Sequence, residues 1–400
     1  MDIIEIFLNL VDKIEKKEIL LDEAIKEVES QKIKDLIERE NIFKLNDLTN
    51  SFANQFPIKA YYLASLTYEA SKAIEERDLK AYSAFRLGHS SCFLAKYKEA
   101  MELFEEALQI FESLNNRQAI GVVSGGLGNV YFSLGEYQKA MDYYNKALEI
   151  AREIGDRQGE GSELGNLGNV YSSLGEYQKA MDYYNKALEI AREVGDRQGE
   201  GSQLGNLGNV YSSLGEYQKA MDYYNKALEI AREVGDKKGV VCSLNNIASA
   251  YLSLEKYQEA EEYLKEVAMT TKKMGDKLGF AIVIANLGSL YERKANFQEA
   301  IKNYLKASLI FKGIGSHLFE KILKKAILKE KEAFLKMENE LLKKYSGKFV
   351  AILNGELIGV SEDEIKLAIK IYKERGYVPV YIEKVGEKER IVEIPSPRRG

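Results

Sequence analysis

The chain has 400 residues, enough for two or three ordinary domains or one elongated array, with 57 basic against 62 acidic side chains and a formal net charge of −5. At 30% charged and 45% hydrophobic it reads as folded rather than disordered, and two cysteines, Cys92 and Cys242, are too few and too far apart for a disulfide framework or a four-ligand zinc site. No run approaches eighteen uninterrupted apolar residues, and Met1-Asp2-Ile3-Ile4-Glu5 carries acid where a secretory leader carries Lys or Arg, so a soluble, cytoplasmic protein with no membrane contact is expected.

Residues 1–41 read as short amphipathic helices, with Ile3, Phe7, Leu10, Val11 and Ile14 on one face, forming an N-terminal cap. From residue 42 onward a period of 40 takes over: residues 157–196 and 197–236 differ only at Glu163 against Gln203, and alanine recurs at 60, 100, 140, 180, 220, 260 and 300. Six clear units fill 80–316. A degenerate unit spans 42–79, where Ala60 keeps register while Pro57 and Asp47-Leu48 break the pattern. Within one unit Leu164, Leu167, Val170 and Tyr171, and then Tyr177, Ala180, Tyr184, Ala187 and Leu188, recur at helical spacing, predicting two amphipathic helices joined at Leu174-Gly175-Glu176. Gly155-Asp156, Gly195-Asp196, Gly235-Asp236 and Gly275-Asp276 combine a glycine able to end a helix in the left-handed region with an aspartate able to cap the next one, and Gly315-Ser316 repeats the logic.

The set Leu164, Leu167-Gly168, Tyr171, Gly175, Ala180, Tyr184 and Ala187 resembles the tetratricopeptide repeat (TPR) family, in the 40-residue form of LGN-type adaptors and kinesin light chains. The family's usual proline near the end of the second helix is missing. The resemblance implies an all-α, right-handed superhelical solenoid of TPR helix pairs whose first helices line a concave groove, and a protein that binds rather than catalyses.

Residues 317–346 predict one long helix through Phe319, Leu323, Phe334, Leu341 and Tyr345 that caps the last apolar face and offers a possible homodimer seam. After Gly347 the period shifts toward 2. Asn354-Gly355 between apolar runs signals a hairpin, Ser361 with Glu364 forms a capping box for a helix ending at Gly376, and strands at 378–384 and 389–393 complete a small ββαββ module over 347–394 before the tail 395–400. Lys344-Tyr345-Ser346-Gly347-Lys348-Phe349-Val350-Ala351 resembles the start of a small prokaryotic domain of unknown function.

The groove positions carry amides. Asn166 and Asn169, Asn206 and Asn209 stand at i, i+3, with Asn129, Asn246 and Asn286 in matching places, and a column of such groups pairs with the backbone of an extended peptide whatever its sequence. The competing reading is that asparagine belongs to the family's packing pattern and that the twin units are a recent duplication. Arg86 and His89 are the basic pair at equivalent positions, where an acidic anchor would dock. His89 and Cys92, one turn apart, are two ligands without a metal site, and Cys242 reads as a small buried residue. Gly159, Gly161 and Gly165 follow no strand, so they are not a dinucleotide loop, and no nucleophile, His and acid set appears. Residues 157–236 hold 8 basic and 13 acidic side chains, which disfavours nucleic acid. The expectation is a cofactor-free, metal-free, non-enzymatic scaffold that takes a peptide segment of a protein partner. The alternatives are an array that delivers the C-terminal module as effector, and a self-assembling structural array.

Overall fold

The computed structural model describes residues 3–30, 36–53, 56–74, 76–313, 318–353, 355–375 and 380–385. The chain divides into a first part, residues 1–206, and a second part, residues 207–400.

In the first part, α1 (Ile3–Glu15) buries the predicted face of Ile3, Phe7, Leu10, Val11 and Ile14, and α2 (Leu21–Val28) opens with Glu23 accepting from the Leu20 amide at 2.8 Å. Both pack on the pair α3 (Arg39–Ala53) and α4 (Pro57–Ser71), sharing a core with Leu63, Leu66 and Leu79. Pro57 sits in the first turn of α4, where its missing N–H costs nothing. Next come α5 (Arg77–Phe93) with α6 (Tyr97–Ser113), α7 (Arg117–Ser133) with α8 (Tyr137–Ile154), and α9 (Arg157–Ser173) with α10 (Tyr177–Val194), followed by α11 (Arg197–Ser213), which spans the division. The paired-helix repeat is therefore what the structure has.

Two features explain why each pair closes. Gly128 and Gly168 face Tyr144 and Tyr184 so closely that a Cβ would lie 2.5 and 2.6 Å from the rings, while Ala140 and Ala180 are fully buried opposite. Between pairs, Gly155 and Gly195 end their helices at φ +73° and +72°, and Asp156 and Asp196 each accept the amide of the glycine three residues on at 2.8 Å. Arg152 then reaches Glu160 at 2.8 Å, and Arg157 bonds both Glu160 and Glu193; Arg192 and Arg197 do the same around Glu200.

The second part continues with α12 (Tyr217–Glu233), α13 (Lys237–Ser253), α14 (Tyr257–Met274), α15 (Lys277–Arg293) and α16 (Phe297–Gly313), with the same Gly275 and Asp276 junction. Where neighbouring turns carry Gly135, Gly175 and Gly215, Glu255 and Ala295 take the left-handed conformation at φ +57° and +54°. Then α17 (Leu318–Tyr345) packs on α16, and β1 (Phe349–Leu353) forms the middle of an antiparallel sheet between β2 (Glu356–Ser361) and β3 (Tyr381–Lys384). Strand alternation divides β1 between two cores. Val350 and Ile352 join Phe334 and Leu341 of α17, while Ala351 and Leu353 join Leu367 and Ile371 of α18 (Glu364–Arg375) and Ala300, Tyr304 and Leu305 of α16.

Two expectations meet the structure differently, and others fall where nothing is described. The α18 cap is Asp363, which accepts from the Lys366 amide at 2.9 Å; Ser361 is still paired to Phe349 in the sheet and its hydroxyl accepts from Asp363 instead. Cys242 is exposed rather than buried, because the 40-residue register sets it beside the exposed Ser162 and Ser202. The strand expected at 389–393, Gly315-Ser316, His317 and Asn354 lie outside the described residues.

Candidate functional site

The asparagines fall into two structural classes. In the first, Tyr144 donates its hydroxyl to Asn129 Oδ1 at 2.8 Å, Tyr184 to Asn169 Oδ1 at 2.8 Å, and in the second part Tyr224 to Asn209 Oδ1 at 2.9 Å. The cause is the glycine one residue earlier on the first helix: each ring lies flat over it and its hydroxyl reaches the next side chain. The three tyrosines are at most 3% exposed, and burial pushes the Tyr184 phenol up to about 12. With the amide oxygens engaged, the Nδ2 groups of Asn129 and Asn169 have no described partner, and Asn129 is exposed and Asn169 partly so.

In the second class it is the Nδ2 group that is engaged. Asn166 donates Nδ2 to Glu163 at 3.2 Å and Asn206 to Gln203 at 3.4 Å; Asn246, in the second part, donates to Asn209 at 3.2 Å. Asn286 is exposed. Asn129 and Asn169 thus engage Oδ1 with a tyrosine, while Asn166 and Asn206 engage Nδ2 with a side chain of their own helix. Glu163 has a particular setting there. A Cβ on Gly125 would lie 2.6 Å from its Oε1, and burial there drives its carboxyl up to about 7 against the opposing pull of the Asn166 hydrogen bond.

Arg86 and His89 lie one turn apart on α5. Arg86 donates to Asn50 Oδ1 at 3.1 Å and has its guanidinium 5.7 Å from the Phe85 ring centre. Burial disfavours its charge, and Asp47 favours it without reaching ion-pair distance. His89 stands between Phe85 and Phe93, with ring centres 6.3 and 5.1 Å away; burial, then the Arg86 charge, lowers its pKa and keeps it neutral. Burial pushes the Cys92 thiol up to about 11, so it is no thiolate ligand at neutral pH. Among the described residues no three His, Cys, Asp or Glu side chains are grouped to hold a metal, and no helix is long and apolar enough to cross a membrane.

Sequence reasoning passed over a second set of tyrosines. Tyr131 stacks on Tyr143, Tyr171 on Tyr183, and in the second part Tyr211 on Tyr223 and Tyr251 on Tyr263, with ring centres 5.2 to 5.5 Å apart. Lys139 and Lys179 each lie 5.1 Å from the Tyr131 and Tyr171 ring centres. The doubled Tyr-Tyr at 143–144 and 183–184 was the available signal: one ring of each doublet enters the core and the other stacks at the surface.

Family models described as tetratricopeptide repeat match residues 77–153, 119–193, 163–233 and 200–268, and again 282–310, more than half of the chain. The chain belongs to the tetratricopeptide repeat family. Among solved structures, this TPR protein is similar to a signal transduction ATPase with a TPR sensor from Pyrococcus horikoshii, at 21% identity and a TM-score of 0.53; the match covers 86% of this chain and 55% of that one. It is similar to aspartyl phosphate phosphatase F from Bacillus subtilis, at 18% identity and TM-score 0.50, covering 90% and 97% of the two chains. A Rap protein complexed with competence and sporulation factor matches at 16% identity and TM-score 0.50, over 76% and 92%. At these identities the likeness shows the fold alone. Comparison with curated proteins gives no match.

Proposed function

We propose that this TPR protein is a non-catalytic scaffold that holds an extended peptide segment of a partner protein along the first-helix face. The observation that carries the reading is the tyrosine-fixed amide: Tyr144 and Tyr184 engage the oxygens of Asn129 and Asn169, so their N–H donors are oriented before any ligand arrives. Preorganised donors lose less freedom on binding, and Asn166 and Asn206 offer acceptors beside them, the complement of a peptide backbone. In the second part Asn209 is held in the same way by Tyr224, Asn246 donates to Asn209, and Asn286 is exposed. The Rap protein complexed with competence and sporulation factor supports, by analogy of fold, a chain of this kind that holds a bound factor.

The tyrosine bonds dictate the test. Alanine at Asn169 or Asn209 removes a packing bond as well as a donor, whereas Asn→Asp keeps an oxygen for the tyrosine and replaces the remaining donor with a charge that repels carbonyls. Full-length wild type and the N129D/N169D/N209D variant serve as paired baits in the source lysate, with mass spectrometry as readout. The expected result is a protein retained by wild type and lost by a variant whose circular dichroism is unchanged. Equal retention refutes the reading.

A further inference from the structure

The unit spanning 77–116 departs from its neighbours along one face. Where residues 157–196 and 197–236 place Gly165 and Gly205, Asn166 and Asn206, Asn169 and Asn209, and Ser173 and Ser213, this unit places Phe85, Arg86, His89 and Phe93. Gly126 of the next first helix departs in the opposite sense, standing where other units carry Asn166, Asn206, Asn246 and Asn286. Beside these four aromatic or basic gains on one helix and the one side-chain loss on its neighbour lies a cavity of about 240 Å³, lined by His89, Cys92, Phe93, Phe104, Gly126 and Asn129.

The cavity's chemistry is mostly apolar. A Cβ on Gly126 would lie 3.3 Å from the Phe104 ring, so the asparagine found elsewhere would occupy this space. Phe93 is 46% exposed at the rim. His89 is neutral and offers one donor and one acceptor, and Asn129 has the Nδ2 that Tyr144 does not engage. One turn before His89, Arg86 is half-buried and makes no ion pair among the described residues; its one hydrogen-bond partner is the uncharged Asn50. A partly desolvated guanidinium without a carboxylate is an incomplete arrangement that an acidic ligand completes.

We propose that this cavity is the anchor subsite of the peptide face, taking one large apolar side chain, of leucine, methionine or phenylalanine size, while a carboxylate within two residues of it on the same peptide pairs with Arg86. The assignment rests on the peptide-binding reading and deepens it: the amides hold any backbone, whereas this subsite sets register and sequence preference.

The test uses the full-length chain and a phage-displayed library of random dodecapeptides, followed by fluorescence anisotropy with a fluorescein-labelled synthetic copy of the most enriched sequence. Three variants accompany wild type. G126N fills the cavity with the residue four other units carry, F93S restores the rim residue of the neighbouring units, and R86Q removes the charge. The expected result is enrichment of sequences with a large apolar residue within two positions of Asp or Glu. Affinity should fall at least tenfold in G126N and F93S, and at least fivefold in R86Q only when the peptide's acid is present. No enrichment, or an enriched set without the apolar residue, overturns the subsite; an R86Q loss that ignores the peptide's acid overturns the role given to Arg86. N129D/N169D/N209D separates the two levels. Affinity lost there but unchanged in G126N and F93S removes the anchor and keeps the peptide face, while affinity unchanged in all of them removes both.

Discussion

Glu163→Gln copies the sole difference between the twin units, and the structure gives its consequence. The Glu163 carboxyl, pressed against Gly125 with Asn166 as its donor, has its pKa raised from about 4.5 to about 7 by burial. An acid with a raised folded-state pKa contributes most when protonated, so its support is complete below about pH 4.5 and is lost as pH rises to about 7. At roughly 1.4 kcal/mol per unit the shift sets an upper bound of about 3.5 kcal/mol, which partial exposure reduces to about 1–2 kcal/mol. Gln203 occupies the same slot over Gly165 as a neutral amide. E163Q should therefore stabilise the protein by about 1–2 kcal/mol at pH 8 and by less than about 0.5 kcal/mol at pH 4.5. Urea unfolding followed by circular dichroism at the two pH values, with hydrogen exchange of α9 as a local readout, measures it. Equal effects at both pH values, or destabilisation at pH 8, would refute the account of Glu163 as a carboxyl held neutral by its packing.

Asn169→Ala should cost about 1 kcal/mol by orphaning the Tyr184 hydroxyl, and almost nothing in a Tyr184→Phe background. A double-mutant cycle in urea checks the coupling, and equal losses in both backgrounds would disprove it. Glu255→Gly should stabilise by about 0.5–1 kcal/mol, since the native φ of +57° suits glycine and penalises a side chain. A lowered melting temperature would contradict that expectation.

The helix pairs were legible because their determinants are local. Gly155-Asp156 states in two residues both where one helix stops and how the next is capped, and the register of Ala140, Ala180 and Ala220 marks where helices touch. The tyrosine–asparagine bonds join residues fifteen apart on different helices, and periodicity alone does not reveal them. A finer signal existed: where Phe104 and Leu264 replace the tyrosine, the amide position holds His89 and Ser249 instead. Cys242 was misplaced by reading its neighbours rather than its register, which aligns it with exposed serines. The α18 cap was misplaced because Ser361 and Asp363 both suit the position, and only strand pairing at Phe349 decides between them. The anchor cavity escaped because it consists of a side chain that is missing, at Gly126, as much as of those that are present.

The matching junctions also bear on how such a gene changes. Residues 157–196 follow Asp156 and precede Arg197, and they begin with Arg157 and end with Asp196, so excision or duplication of the segment rejoins aspartate to arginine. The cap of Asp156 on Gly159, the pairing of Arg152 with Glu160 and the bond of Tyr184 to Asn169 each have a counterpart one period later, in Asp196, Arg192 and Tyr224. Unequal recombination between the twin segments therefore alters the protein in steps of forty codons while every new seam repeats an old one. Array length becomes a heritable variable open to selection, separate from the substitutions that tune any one unit.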